Sequence, residues 1–172
     1  MSQALTNPPR LPLGRGGHVG AMPTASPARY ASEYRSACGL PAAVDPATGQ
    51  VTMRGGAIVG FMVPADLGTR LRAVLDQAGD GGGPIMAHTR SRTWTFLAQR
   101  DSSTEEVRDR TRSWWLDRVS VLTANAVIGL PSPVTIDAEQ RVWIVAPHSH
   151  LRPTTSTVIA ALADILAKGG AR

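Results

Sequence analysis

The amino-acid sequence predicts an α+β fold, with a ferredoxin-like or RNA-recognition-like split βαβ core, additional β-strands and a C-terminal helix. Between residues 55 and 123 the predicted order is strand, helix, strand, strand, helix, strand. A predicted β-hairpin, Pro84–Leu97, lies at the centre of that order, with a strand–helix unit of similar size on either side. Right-handed crossovers would place both helices on one face of an antiparallel sheet.

The chain has 172 residues, of which 42% are hydrophobic, enough for one domain with a core. Residues 1–36 are predicted to form a flexible basic arm rich in Gly and Pro, and residues 37–172 a single α+β domain. Within the arm, Tyr30 and Tyr34 are spaced by four, so one helical turn could dock both rings on the domain. The prolines that oppose helix formation in this arm are Pro8, Pro9, Pro12, Pro23 and Pro27.

Several functional classes are disfavoured by composition. No apolar run approaches the roughly 20 residues that a membrane helix needs. The first thirty residues lack a basic start followed by an apolar run, so we expect no secretory signal. One cysteine, Cys38, cannot form an intrachain disulfide or a cysteine-rich zinc site. We therefore expect a cytoplasmic protein with no membrane partner and no cofactor.

The formal net charge of +5 permits contact with nucleic acid. Of the 18 basic residues all but Lys168 are Arg, a skew that GC-rich codons produce. Arg also suits bidentate phosphate contacts, so the charge allows a nucleic-acid partner without requiring one.

The first predicted elements are a hairpin and a strand–helix unit. Strands Ala42–Val44 and Gln50–Met53 flank a turn in which Asp45 is expected to cap the backbone. A buried strand, Gly55–Val63, precedes a helix that opens at Pro64. The apolar stripe of this helix comprises Leu67, Leu71, Val74 and Leu75.

The central hairpin pairs Ile85–His88 with Thr93–Leu97 across a basic turn, Thr89–Arg92. Trp94 and Phe96 point to the same side of the second strand. Two interpretations are open: the rings belong to the core under the helices, or they form a platform on which bases stack beside the arginines of the turn.

A capping box of Ser103 and Glu106 opens the next helix, predicted over Thr104–Asp117. Its inner face is predicted to carry Val107, Thr111, Trp114 and Trp115. Strands are predicted at 119–123, 126–130 and 141–146. In the last of these, Val142 and Ile144 are expected on one face and Trp143 and Val145 on the other. A cap at 154–156 opens the final helix, which the glycines at 169 and 170 end.

Few residues suggest catalysis. His148 and His150 share a face in extended chain, but no third ligand of the usual kind lies close in sequence, so we expect no metal. Asp45 and His88, near predicted strand ends, could contribute to an enzyme pocket only if they met these histidines in one cleft.

The chain resembles short actinobacterial proteins of unknown function that are similar to the primase–polymerase catalytic domain. The resemblance runs from residue 38 to about residue 153, and is carried by Cys38–Gly49, Val63–Gly68, Gly83–Leu97 and Ile128–Pro133. It implies a recognition-like sheet with a motif of Arg, a catalytic His and Phe on a central strand.

In the segment from Arg92 to Phe96 the Arg and the Phe match that motif, while Thr93 stands in place of the His. No paired acids occur on a predicted strand, although two-metal nucleotidyl transfer needs them to hold its ions. The resemblance therefore implies the scaffold of such a domain without its chemistry.

These observations predict a non-catalytic protein-interaction or regulatory adaptor with a protein partner or a second copy of itself. The alternative is a nucleic-acid or nucleotide-binding module that uses Arg90, Arg92, Trp94 and Arg100.

Overall fold

Two antiparallel sheets and four α-helices make up the residues that the structure, a computed structural model, describes: 26–79, 83–132 and 141–169. The helices are α1 Pro27–Cys38, α2 Ala65–Gln77, α3 Thr104–Thr111 and α4 Thr155–Gly169, and a short 3₁₀ helix covers Trp114–Asp117. The strands are β1 Ala42–Val44, β2 Val51–Arg54, β3 Ile58–Pro64, β4 Ile85–His88, β5 Thr93–Gln99, β6 Ser120–Leu122, β7 Val127–Gly129 and β8 Arg141–Val145. No described helix is long and apolar enough to span a bilayer. The predicted α+β class is confirmed.

The larger sheet has the strand order β6-β3-β5-β4-β8 with every neighbouring pair antiparallel. Its first four strands come from the β3-α2-β4-β5-α3-β6 sequence and are arranged as in a split βαβ fold. Phe96 on β5 lies opposite Phe61 on β3 and Ile85 on β4, so the predicted central hairpin supplies the middle of the sheet. The eighth strand extends the sheet beyond β4.

One face of this sheet is covered by the helices. Phe96 is 0% exposed in a core cluster shared with α2, α3 and α4, and Trp94 packs against the same cluster. A Cβ atom on Gly68 of α2 would come within 2.8 Å of the Trp94 ring, so the helix approaches that ring closely because residue 68 is Gly. The interpretation of the two rings as core residues is therefore the one that the structure supports.

The opposite face is covered by a three-stranded sheet, β1-β2-β7, and by α1. The first hairpin forms as predicted, with Ala42 opposite Met53. Asp45 caps its turn, because its Oδ1 accepts hydrogen bonds from the backbone N–H groups of Ala47 at 2.8 Å and Thr48 at 3.3 Å. Both faces of the central hairpin are thus occupied.

The part of the predicted arm that the structure describes is helical, because α1 covers Pro27–Cys38. Ser26 caps α1 and Pro27 takes its first position, where the missing N–H costs nothing. Tyr34 is buried; its hydroxyl donates to the carbonyl of Pro131 at 2.7 Å and accepts from Trp143 Nε1 at 2.8 Å. Helix α1 is therefore docked on the rest of the domain, and residues 1–25 of the predicted arm lie outside the described residues.

The predicted alternation along β8 is wrong at its end. The pairing with β4 shifts between Ile85 and Met86, so Val145 lies opposite Ile85 while Trp143 lies opposite Met86. Val145 consequently packs with the helix-side core and Trp143 with the opposite core. A bulge of this kind places an extra residue in one strand and reverses the side-chain alternation beyond it.

Candidate functional site

The four residues predicted to bind nucleic acid do not form one surface. Arg90 and Arg92 lie on the exposed turn between β4 and β5. Arg100 follows the far end of β5, roughly 25 Å from Arg92 at about 3.3 Å per residue. Trp94 is half-buried beneath α2, so its ring does not offer a free face for a base.

The residues considered for catalysis are also dispersed. Asp45 caps a turn, and His150 lies against Gly39, where a Cβ atom would come within 2.5 Å of His150 Nδ1. His148 instead lines a cleft with Leu151. Within the described residues no three His, Cys, Asp or Glu side chains are placed to hold a metal ion. These groups therefore share no cleft.

His88 is half-buried at the end of β4, and its Nε2 lies 2.8 Å from Thr95 Oγ1. Burial lowers the pKa of His88, and the positive charge of Arg141 lowers it further. The ring is therefore neutral at pH 7, a state suited to its hydrogen bond with a buried threonine.

The most exposed aromatic side chain of the described residues lies on the 3₁₀ helix. Trp115 and Leu116 are 71% and 68% exposed, whereas the neighbouring Trp114 is 7% exposed and belongs to the core. Arg118 ends this helix in the left-handed conformation, and the next residue, Val119, donates its N–H to the carbonyl of Trp114 at 3.1 Å. The exposed pair is thus held on a turn anchored in the core at both ends.

This arrangement corrects the helix predicted over Thr104–Asp117. The α-helix ends at Thr111, Arg112 and Ser113 keep right-handed helical backbone angles, and the 3₁₀ helix follows. Trp115 is predicted on the inner face, but its side chain projects to solvent, while Trp114 takes the buried position. A signal in the sequence is the run from residue 108 to 113, which contains no apolar side chain to hold an α-helix against the core.

Two adjoining depressions lie where β3 leads into α2, and we call them together the hairpin-end groove. Their volumes are about 380 and 290 Å³, and they share Pro64, Asp66 and Arg118 as walls. The first also contacts the β4–β5 turn and the second reaches the 3₁₀ helix. The side chains that give the groove its chemistry are Asp66, Arg70, Ser91, Arg92, Leu116, Asp117 and Arg118.

The groove combines apolar surface with charges of both signs. Three arginines, Arg70, Arg92 and Arg118, line the groove together with two acidic residues, Asp66 and Asp117. The ion pairs found among the described residues lie elsewhere, on the surfaces of α1, α2 and α4. Within the described ranges no ion pair engages Arg70, Arg92 or Arg118, so these side chains can pair with an incoming carboxylate.

No family model, curated protein or solved structure matches this chain. The fold class thus follows from the strand order alone, and the resemblance to primase–polymerase domains stays a prediction.

Proposed function

We propose that this protein is a non-catalytic protein-interaction adaptor that docks an acidic partner protein at the hairpin-end groove. The observation that carries the proposal is the exposure of Trp115 and Leu116, two large adjacent apolar side chains on the 3₁₀ helix, of which Leu116 lines the groove together with Arg70 and Arg118.

Exposure of these two apolar side chains to water is unfavourable in free energy, and a bound partner would cover them. Single exposed apolar residues are common, but adjacent large ones are typical of interaction sites. The turn that bears them is anchored by Trp114 and Val119 in the core, so little backbone entropy is lost on docking. Trp and Arg are also the residue types that most often dominate binding energy in protein interfaces.

The charges of the groove favour a protein over nucleic acid. A phosphate backbone presents only negative charge, and Asp66 and Asp117 would repel it where it passed Arg118. A protein segment can place an apolar side chain against Leu116 and a carboxylate against Arg70 or Arg92. We therefore assign the partner acidic side chains flanking an apolar anchor.

The scaffold of this adaptor is proposed to be a primase–polymerase-like domain that has lost its catalytic residues. The recognition-like order of the central strands supports this part of the proposal. A cytoplasmic location is part of the same proposal and is supported by the single cysteine, Cys38, which is a buried free thiol.

The direct test compares partner recovery by the full-length protein and by Trp115→Ala/Leu116→Ala, with quantitative mass spectrometry of the bound fraction. A matched control, Val127→Ala/Leu151→Ala, removes exposed apolar side chains that lie outside the groove. We expect at least a tenfold loss of one partner with the groove variant and no loss with the control. Equal recovery by all three proteins would refute the proposal.

The electrostatic component is tested on Arg70, because Arg92 and Arg118 have positive φ and their substitution would also perturb the backbone. Arg70→Glu is expected to reduce the affinity for the same partner about tenfold. Arg108→Glu, on an exposed position of α3 outside the groove, makes the same charge change and is expected to leave binding intact. Equal effects of the two variants would show that net charge, and not the groove, governs binding.

Nucleic-acid binding is the second candidate, favoured by the exposed turn on which Arg90 and Arg92 lie near Arg118. It predicts affinity for an oligonucleotide that falls steeply as salt rises. Unchanged oligonucleotide binding after Arg90→Glu and Arg92→Glu together would rule out this surface.

A further inference from the structure

A second groove, lined by aromatic rings, lies between α1 and β8, the edge strand of the larger sheet. Its volume is about 280 Å³, and we call it the aromatic groove. Its lining residues are Tyr30, Tyr34, Pro131, Ser132, Arg141, Val142 and Trp143. It is formed by different elements from the hairpin-end groove and is independent of the adaptor function.

The rings of the aromatic groove are held in fixed geometry. Tyr30 and Tyr34 meet edge to face with centroids 6.2 Å apart, and Tyr34 meets Trp143 in the same way at 5.9 Å. The Tyr34 hydroxyl is fully engaged, since it donates to Pro131 and accepts from the Trp143 indole. The groove is therefore pre-organised, and binding would order few side chains.

The lining indicates a ligand that is apolar and extended. Aromatic grooves bind polyproline II segments, in which prolines pack on the rings and little conformational entropy is lost. Among the described residues that line this groove, Arg141 is the one that carries a charge, and it already has an interaction partner. A charged ligand is therefore less favoured than a proline-rich one.

The chain itself carries such a segment. Pro8 and Pro9 are followed by Arg, Leu and Pro12, which gives a Pro-x-x-Pro spacing from Pro9 to Pro12. Thirteen residues separate Pro12 from Ser26 and can span up to about 43 Å at roughly 3.3 Å per residue. Tyr30 lies one helical turn beyond Ser26, about 6 Å along α1, so the segment can reach the groove.

We propose that the aromatic groove binds the Pro8–Pro12 segment of the same chain. A short tether gives the segment an effective concentration in the millimolar range, so a weak intrinsic affinity suffices to fill the groove. Another proline-rich chain would displace the segment only if its concentration were higher than this effective concentration or if it bound the groove more tightly.

The test uses the full-length protein and the NMR signal of the Trp143 indole N–H, assigned with Trp143→Phe. Pro9→Ala/Pro12→Ala is expected to shift this signal, whereas Pro23→Ala, a proline of the same region outside the motif, is expected to leave it in place. A synthetic peptide of residues 7–13, added to Pro9→Ala/Pro12→Ala, should restore the original position in a saturable manner. If the chemical shift of the Trp143 indole N–H changes neither in Pro9→Ala/Pro12→Ala nor on addition of the peptide, the inference is overturned.

Two further observations separate the intramolecular arrangement from its alternatives. Tyr30→Ala is expected to weaken binding of the added peptide about tenfold while leaving the anchored Tyr34 in place, and an unchanged affinity would contradict the assignment to this groove. The Trp143 signal of the unmodified protein should not depend on protein concentration. A dependence would show that the segment comes from a second copy and would overturn the intramolecular proposal.

Discussion

Trp114→Ala and Trp115→Ala should have very different effects on stability, although the two residues are adjacent and chemically identical. Trp114 is 7% exposed, and burial of about 200 Å² at about 25 cal/mol/Å² corresponds to about 5 kcal/mol. Its truncation should therefore lower the free energy of unfolding by about 3–5 kcal/mol. Trp115 is 71% exposed, less than a third of its surface is covered, and its truncation should cost about 1 kcal/mol or less.

The assay is urea and thermal unfolding of both variants and of the unmodified protein, followed by far-UV circular dichroism. At about 2–4 °C per kcal/mol for a domain of this size, Trp114→Ala should lower Tm by about 10 °C and Trp115→Ala by at most about 4 °C. Similar losses in the two variants would mean that Trp115 is a core residue. The exposed apolar pair next to the hairpin-end groove would then be reduced to Leu116.

Three further predictions concern the core and its charges. Gly68→Ala should destabilise by about 1–3 kcal/mol despite the better helix propensity of Ala, because its Cβ would meet Trp94; a gain in stability would contradict that packing. Burial opposes ionisation of Asp101, but hydrogen bonds from Thr155, Thr154 and Ser156 outweigh it and lower the pKa of Asp101 from 3.8 to about 2. The stabilisation from ionised Asp101 is therefore complete above about pH 4 and is lost as pH falls through 2. Asp101→Asn should lower the free energy of unfolding by about 1 kcal/mol at pH 7. In urea titrations at several pH values, the variant should also lose less stability than the unmodified protein between pH 4 and pH 2. Because the pKa of His88 is lowered in the folded protein, the free energy of unfolding should fall as pH drops below 6.5. His88→Gln should remove this pH dependence. An unchanged pH dependence in the variant would show that other groups cause it.

Much of the fold could be predicted because its signals are local. The period of the apolar residues identified α2 and the central hairpin, and the Ser103–Glu106 pair marked the start of α3, where Ser103 Oγ accepts the Glu106 N–H at 3.1 Å. The strand order then followed from the order of elements, since few connections fit a split βαβ unit.

The errors arose where distant residues decide the local structure. Helix α1 contains polar and small residues that look like an arm, but Tyr34 is fixed by bonds to Pro131 and Trp143, about a hundred residues later in the chain. The register shift that separates Trp143 from Val145 depends on the pairing of β8 with β4. The spacing of Tyr30 and Tyr34 predicted one docked helical turn, which is confirmed, but no pattern within either segment gives the full length of α1 or the register of β8.

The candidate site was the least predictable part. Sequence reasoning selected Trp94 because an aromatic residue between arginines on a strand is typical of a nucleotide platform. The structure instead packs α2 against Trp94 and exposes Trp115, which the sequence predicted on the inner face of a helix. The candidate surface therefore lies on the 3₁₀ helix and not on the hairpin strand.

The central claim, that a partner protein docks at Trp115 and Leu116, is tested most directly by site-specific photo-crosslinking in cells. A photoreactive phenylalanine analogue is placed at Leu116 or, as a control, at the exposed Ala160 of α4. We predict one discrete crosslinked protein from position 116 that disappears when Arg70→Glu is added, and none from position 160. No crosslink from position 116, or the same products from both positions, would contradict the claim.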